Sequence, residues 1–168
     1  MRLLPESIFI KTQISLALAL LLFVGCKTSE QANSVRLENA QYALWDAAKS
    51  GDVDILEAAI AQGADVNALD VRTNQNGRRA LNWAAWNNHV DAIEVLLEHR
   101  ADVDGFNRTG FTAIHHSAEN GSADAARVLI EAGADVNLPS LAGESPLERA
   151  RREGHQEVVE LLERAGAN

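Results

Sequence analysis

Five histidines and one cysteine are the side chains of this 168-residue chain best suited to hold a metal or attack a substrate. Their spacing supports neither. His115 and His116 are neighbours, so on a helix they point about 100° apart and cannot face one metal from the same turn. His89 and His155 stand near the starts of helical segments and His99 near the end of one. No HExxH, CxxC, GxSxG or Gly-rich phosphate loop appears. The expectation is a protein that is not an enzyme, with no catalytic residue, no metal, no cofactor and no small-molecule substrate. Cys26 directly follows the apolar run ISLALALLLFV at residues 14–24, a place suited to a membrane-linked role, and a single cysteine forms no internal disulfide.

The apolar run belongs to a leader. Its positive amino-terminal region, its core of roughly a dozen residues and small Gly25 before a cut form the pattern of a secretory signal peptide over residues 1–25. The core falls short of the ~20 apolar residues that span a bilayer. Residues 22–26, LFVGC, resemble the lipobox of bacterial lipoproteins, with Phe23 in place of the usual Leu. That resemblance implies a lipid on Cys26, which would become the acylated first residue of a mature, membrane-held chain. An uncleaved anchor with an incidental cysteine is the alternative. Lys27 rather than Asp after the cysteine fits the outer membrane, facing the periplasm, if the source is Gram-negative. Residues 26–36 then read as the lipidated Cys and a polar tether, whose ten flexible residues reach only ~17 Å on average.

Outside the leader the chain is acidic. The whole chain carries −9, and Arg2, Lys11 and Glu6 leave +1 on the leader, so residues 26–168 carry −10. Neutralising phosphates takes clustered Lys and Arg, so nucleic acid is excluded as the main partner.

From residue 37 onward the sequence repeats. GADVN at 63–67, RADVD at 100–104, GADVN at 133–137 and GAN at 166–168 are spaced 37, 33 and 33 apart. RALN at 79–82, TAIH at 112–115 and SPLE at 145–148 keep the step of 33. Gly51, Asn88, Gly121 and Gly154 follow helical segments at 37, 33 and 33. These three markers in register resemble the T-P-L-H, G-H and G-A-D-V-N pattern of ankyrin repeats. The resemblance implies an all-α repeat solenoid of helix-turn-helix pairs with β-hairpin fingers, in about four repeats: 38–69, 70–106, 107–139 and 140–168.

The residues give the same organisation. Thr112 and Ser145 suit helix N-caps, Pro146 suits a first helical position, and Leu81, Ile114 and Leu147 enter the core. VDILEAAIAQ, VDAIEVLLEH, ADAARVLIEA and QEVVELLERA are apolar at helical spacing. Gly63, Gly133 and Gly166 suit a left-handed position past a helix end; Arg100 replaces Gly there, at about 1 kcal/mol of stability. The extra residues around Thr73 to Asn76 account for the spacing of 37, either as a tolerated surface insertion or as a partner contact.

The resemblance also implies where function sits, on a concave face made by finger tips and exposed inner-helix positions. The residues expected to bind a protein partner are Leu69, Arg72, Arg78, Trp86, Asn87, Phe106, Arg108, Phe111, Glu119 and Asn120. Trp86 beside Phe106 and Phe111 would make an apolar patch unusual in an acidic monomer, unless Trp86 folds down over a neighbouring finger. Trp83 and Trp45 are expected to be structural. The acids of the second helices lie on the back, whereas Arg72, Arg78, Arg79 and Arg108 gather near two fingers, which suits a partner with an acidic patch. The expected protein is a monomeric, lipid-anchored envelope protein that binds another protein as inhibitor or protector, or as a scaffold, or serves a purely structural role.

Overall fold

The computed structural model describes residues 29–72 and 75–168; the leader, Cys26 and the finger residues Thr73 and Asn74 lie outside the described residues. Residues 29–38 belong to a unit of their own. They are helical and exposed. Residues 29–36 therefore correct the expectation of an irregular tether: SEQANSVR has no apolar stripe, but it also has no Gly or Pro to break a helix, and Glu30, Gln31, Ala32 and Arg36 favour one.

The second unit, Asn39–Asn168, is the solenoid. It opens with helical residues 39–50 (α1), followed by α2 (Val53–Ala61), α3 (Ala80–Trp86), α4 (Val90–Glu98), α5 (Ala113–Asn120), α6 (Ala123–Glu131), α7 (Pro146–Glu153) and α8 (Gln156–Arg164). Inner helices α3, α5 and α7 stack in one layer, and outer helices α2, α4, α6 and α8 stack in a second. Small buried side chains let the inner layer pack closely: Ala47 and Ala48, Ala84 and Ala85, Ser117 and Ala118. The outer helices bury equivalent positions, Leu56, Ile93, Ala126 and Val159 in one row and Ala59, Leu96, Leu129 and Leu162 in the next. Each fully buried Leu contributes roughly 1.5–3 kcal/mol, and no helix pair buries its apolar face without a neighbour.

The N-terminus of each inner helix from the second repeat onward is capped by the last residue of the repeated tetrad. Asn82 Oδ1 accepts from Arg79 N at 2.8 Å, His115 Nδ1 from Thr112 N at 3.2 Å and Glu148 Oε2 from Ser145 N at 2.8 Å. One structural task is thus done by an amide, an imidazole and a carboxylate. Past the outer helices, Arg100 holds φ 64°, the left-handed conformation that Gly63, Gly133 and Gly166 adopt at the equivalent places.

The fingers depart from the expected β-hairpins. Among the described residues there is no strand, only an isolated antiparallel bridge between Asp70 and Arg78. The second and third fingers close through Asn107 N to Phe111 O and Ser140 N to Glu144 O, both 2.9 Å. A turn closed over so few residues leaves no arm for a ladder. Asn107 Oδ1 fills the second turn instead, accepting from Thr109 N at 2.9 Å and Phe111 N at 3.0 Å.

Stitches between neighbouring repeats recur at the same places. Arg108 N donates to Asn76 O at 2.9 Å and Leu141 N to Thr109 O at 3.1 Å, tying finger to finger. Asn67 Oδ1 accepts from Asp102 N, Asp104 Oδ1 from Asp135 N and Asn137 Oδ1 from Asn168 N, at 2.9, 2.9 and 3.2 Å. The final Asn or Asp of each motif recurs because it caps the backbone of the next one. His89 Nε2 reaches Lys49 O and His155 Nε2 reaches Glu119 O, both at 3.1 Å. The His155 ring lies so close to Gly121 that a Cβ there would stand 2.6 Å from Nδ1, and φ +72° also favours glycine.

Candidate functional site

The inner-helix face and the fingers bring the basic and aromatic residues together, but not all of them remain available. Arg72 is locked into the first repeat. Its guanidinium lies 4.8 Å from the Tyr42 ring centre and 5.1 Å from that of Trp45, and it pairs with Asp46 and Asp70 at 2.9 Å each. Asp70 is only 2% exposed. Burial works against its negative charge, but the hydrogen bonds and charge of Arg72 outweigh this and hold the carboxyl below its ordinary range. Arg72 therefore closes the amino-terminal end of the stack.

Arg78, at the base of the first finger, lies 4.5 Å from the Trp83 ring centre and 4.2 Å from that of Trp86. Burial lowers its pKa, with Glu119 pulling the other way. Trp83 is buried and Trp86 half-buried, so Trp86 folds partly down onto Arg78 and meets His116 edge-on, at 6.0 Å between ring centres. The Trp86 carbonyl accepts from Asn120 Nδ2 at 2.8 Å and Ser122 Oγ at 2.9 Å. Asn87 turns back to its own helix, donating to Trp83 O at 2.9 Å.

Phe111 is half-buried at the second finger, 5.1 Å from the His115 ring and under the Arg149 guanidinium at 4.7 Å. Phe106, just before the same finger, is 56% exposed. Arg108 is exposed and donates to Gln75 O at 3.2 Å. Leu69 is half-buried, and Glu119 lines a cleft between the fingers, α5 and α7. The cleft holds about 150 Å³ and is lined by residues 76–78 and Asn107, Thr109, Phe111, His116, Glu119 and Arg149.

The two adjacent histidines have separate tasks. His115 Nδ1 accepts from Thr112 N, so Nε2 carries the proton and donates to Glu144 O of the next finger at 3.2 Å. Burial pushes its pKa down to about 4, with the Glu144 bond opposing. His116 is also buried, and burial lowers its pKa; its Nδ1 lies 3.3 Å from Glu119 Oε2. The bond from His116 is the main reason the Glu119 carboxyl lies below its ordinary range. The pair is a neutral imidazole donating to a carboxylate. Among the described residues no three His, Cys, Asp or Glu side chains gather closely enough to hold a metal, and no helix is long and apolar enough to cross a membrane.

Sequence reasoning missed Trp83 and Arg149 as parts of this face. Arg78 precedes Trp83 and Trp86 by five and eight residues, a local signal that was present; Arg149 reaches Phe111 from 38 residues away, where nothing local marks it.

Compared with known proteins, the chain matches the family described as ankyrin repeats (3 copies) over residues 11–107 and 102–168. It is similar to the ankyrin repeat domain-containing protein SAT10 of Stachybotrys chartarum, 39% identical over 64 residues, which are 38% of this chain and 3% of that protein. It is also similar to the palmitoyltransferase akr1 of Schizosaccharomyces pombe, 40% identical over 62 residues, 36% of this chain and 9% of that protein. The chain thus spans less than a tenth of the length of these two relatives.

Proposed function

The chain belongs to the ankyrin-repeat family, and from that premise we propose that it is a protein-protein interaction module held in the cell envelope by lipid on Cys26. It binds a protein partner through the inner-helix and finger face and acts as an inhibitor or protector of an envelope protein. The observation that carries this reading is exposed apolar side chains at all three fingers: Val71 at 45% and Leu141 at 79% inside the first and third turns, and Phe106 at 56% just before the second. Apolar side chains left exposed at successive fingers of an acidic chain serve contact rather than packing, since the folded chain leaves them in water. The outer helices expose acids such as Glu57, Glu94, Glu98, Asp124 and Glu160, which keep the back of the stack soluble.

The test is affinity capture from envelope extract with the full-length chain, beside a variant carrying Phe106→Ser and Leu141→Ser. Both side chains are exposed, so the fold should survive the change. A protein held by the parent and lost by the variant supports the reading; equal retention sinks it. Loss of the captured protein's activity at one-to-one stoichiometry marks an inhibitor, and recovery of a multi-subunit complex marks a scaffold. Cys26→Ser should abolish lipid labelling, whereas unchanged labelling would remove the anchor from the proposal.

A further inference from the structure

Cations and aromatic rings form a continuous run along the inner-helix face. Lys49 Nζ lies 5.0 Å from the Trp83 ring, Arg78 joins Trp83 to Trp86, Trp86 meets His116, His116 lies 5.9 Å from Phe111, and Arg149 covers Phe111. The arginines of this face differ in their counter-ions. Arg149 has Glu153, Glu144 and Glu119 at 3.4, 3.6 and 3.7 Å, and Arg152 has Glu144 at 2.5 Å and Glu153 at 3.2 Å. Arg78 has no such contact: among the described residues it forms no ion pair with a carboxylate and feels Glu119 only at longer range. Its guanidinium is nevertheless half-buried, held against two indoles and borders the cleft of about 150 Å³.

We propose that Arg78 is the anchor of the partner interface, taking the carboxylate of an Asp or Glu side chain that the partner inserts into the cleft. This rests on the reading of the finger face as the partner-binding face and names the chemistry it selects. A guanidinium is a planar fork of donors matched to a carboxylate, and one already stacked on tryptophans loses little freedom on binding. The Glu119 carboxylate, held by His116, keeps a negative charge in the same cleft. With Glu119 also 3.7 Å from Arg149, the net positive charge of the cleft is small, and the two oxygens of one carboxylate match and neutralise the single free guanidinium fork.

The test uses blocked tripeptides, acetyl-Ala-Glu-Ala-amide against acetyl-Ala-Gln-Ala-amide, added to the full-length chain in mild detergent. The readout is the NMR signals of the three indole N–H groups. The Glu peptide should shift Trp83 and Trp86 saturably, with a dissociation constant roughly in the millimolar range for one carboxylate contact, and leave Trp45 unmoved. Arg78→Gln should abolish the response and Arg78→Lys should weaken it, circular dichroism confirming the fold of both. Glu119→Gln should tighten binding severalfold by removing the like charge. Equal shifts from the Gln peptide, an undiminished response in Arg78→Gln, weaker binding in Glu119→Gln, or tighter binding of inorganic phosphate would each overturn the proposal. If the peptides fail while the fingertip variant still loses its captured protein, the anchor is wrong and the face is right. A fingertip variant that keeps its captured protein overturns the face itself.

Discussion

Acid should loosen this solenoid through a histidine that does its work uncharged. His115 is fully buried, accepts a backbone N–H at Nδ1 and donates from Nε2 to the next finger. Adding a proton at Nδ1 destroys the acceptor at the helix start and places a charge in the core. Its folded pKa of about 4 lies below the ordinary 6.5. Between those values the unfolded chain takes up a proton that the folded chain refuses, so stability is complete above pH 6.5 and falls as pH drops towards 4. The slope approaches about 1.4 kcal/mol per pH unit, so descending to pH 5 removes about 2 kcal/mol through His115 alone. His116, whose pKa burial also lowers, acts in the same direction. Urea unfolding at intervals from pH 7.5 to 5, with the His115 ring followed by NMR, measures the slope and the titration separately. In His115→Gln the part of the slope owed to this residue should vanish, whatever the variant's stability at pH 7.5. A ring that titrates near 6.5 in the folded protein, or a slope unchanged in the variant, would refute the reasoning.

Other perturbations test separate parts of the structure. Arg100→Gly should raise stability by about 1 kcal/mol in urea unfolding, because φ 64° strains a side chain there. Asn88→Gly should give no such gain: Asn88 shares the strain at φ 59°, but its amide accepts from Ala125 N at 2.8 Å and donates to Asp124 at 3.2 Å. Arg72→Ala should cost about 3 kcal/mol by stranding buried Asp70, whereas Asp46→Ala, which removes a side chain 69% exposed, should change the melting temperature little. Gly110→Ala should destabilise by more than about 1 kcal/mol, since φ is +81° and the new Cβ would stand 2.5 Å from Leu141 N; hydrogen exchange at Leu141 should accelerate.

What the sequence disclosed and what it hid follow from the range of the interactions. The stack of helix pairs was legible because its determinants are local and repeated: the tetrad caps itself within three residues, and Arg100 betrays its left-handed backbone by standing where Gly63 and Gly133 stand. Trp83 and Trp45 were legible as buried side chains for the same reason. The fate of Arg72 was not, because Asp46 and Tyr42 that seize it lie 26 and 30 positions earlier, and a finger arginine looks alike whether it meets solvent or a ring. The fingers were expected as hairpins because the resemblance to ankyrin repeats implied them, but their own residues carry no alternation long enough to announce strands. Residues 29–36 went unread as helix because a polar helix without an apolar stripe leaves no periodic mark.

The stitches that tie asparagine and aspartate to the following repeat and histidine to the preceding one all act on the immediate neighbour, 31 to 40 positions away. No described hydrogen bond asks a repeat to know how many others stand beyond the next. Length is consequently heritable in whole units: a duplication of 33 codons arrives with its own donors and acceptors already matched to both sides, and a deletion of 33 closes the gap with the same bonds. The first repeat is the exception, since Arg72 is fastened to rings found only there. A lineage can therefore lengthen or shorten the stack from the middle while the Arg72 clasp on the first repeat passes down unchanged.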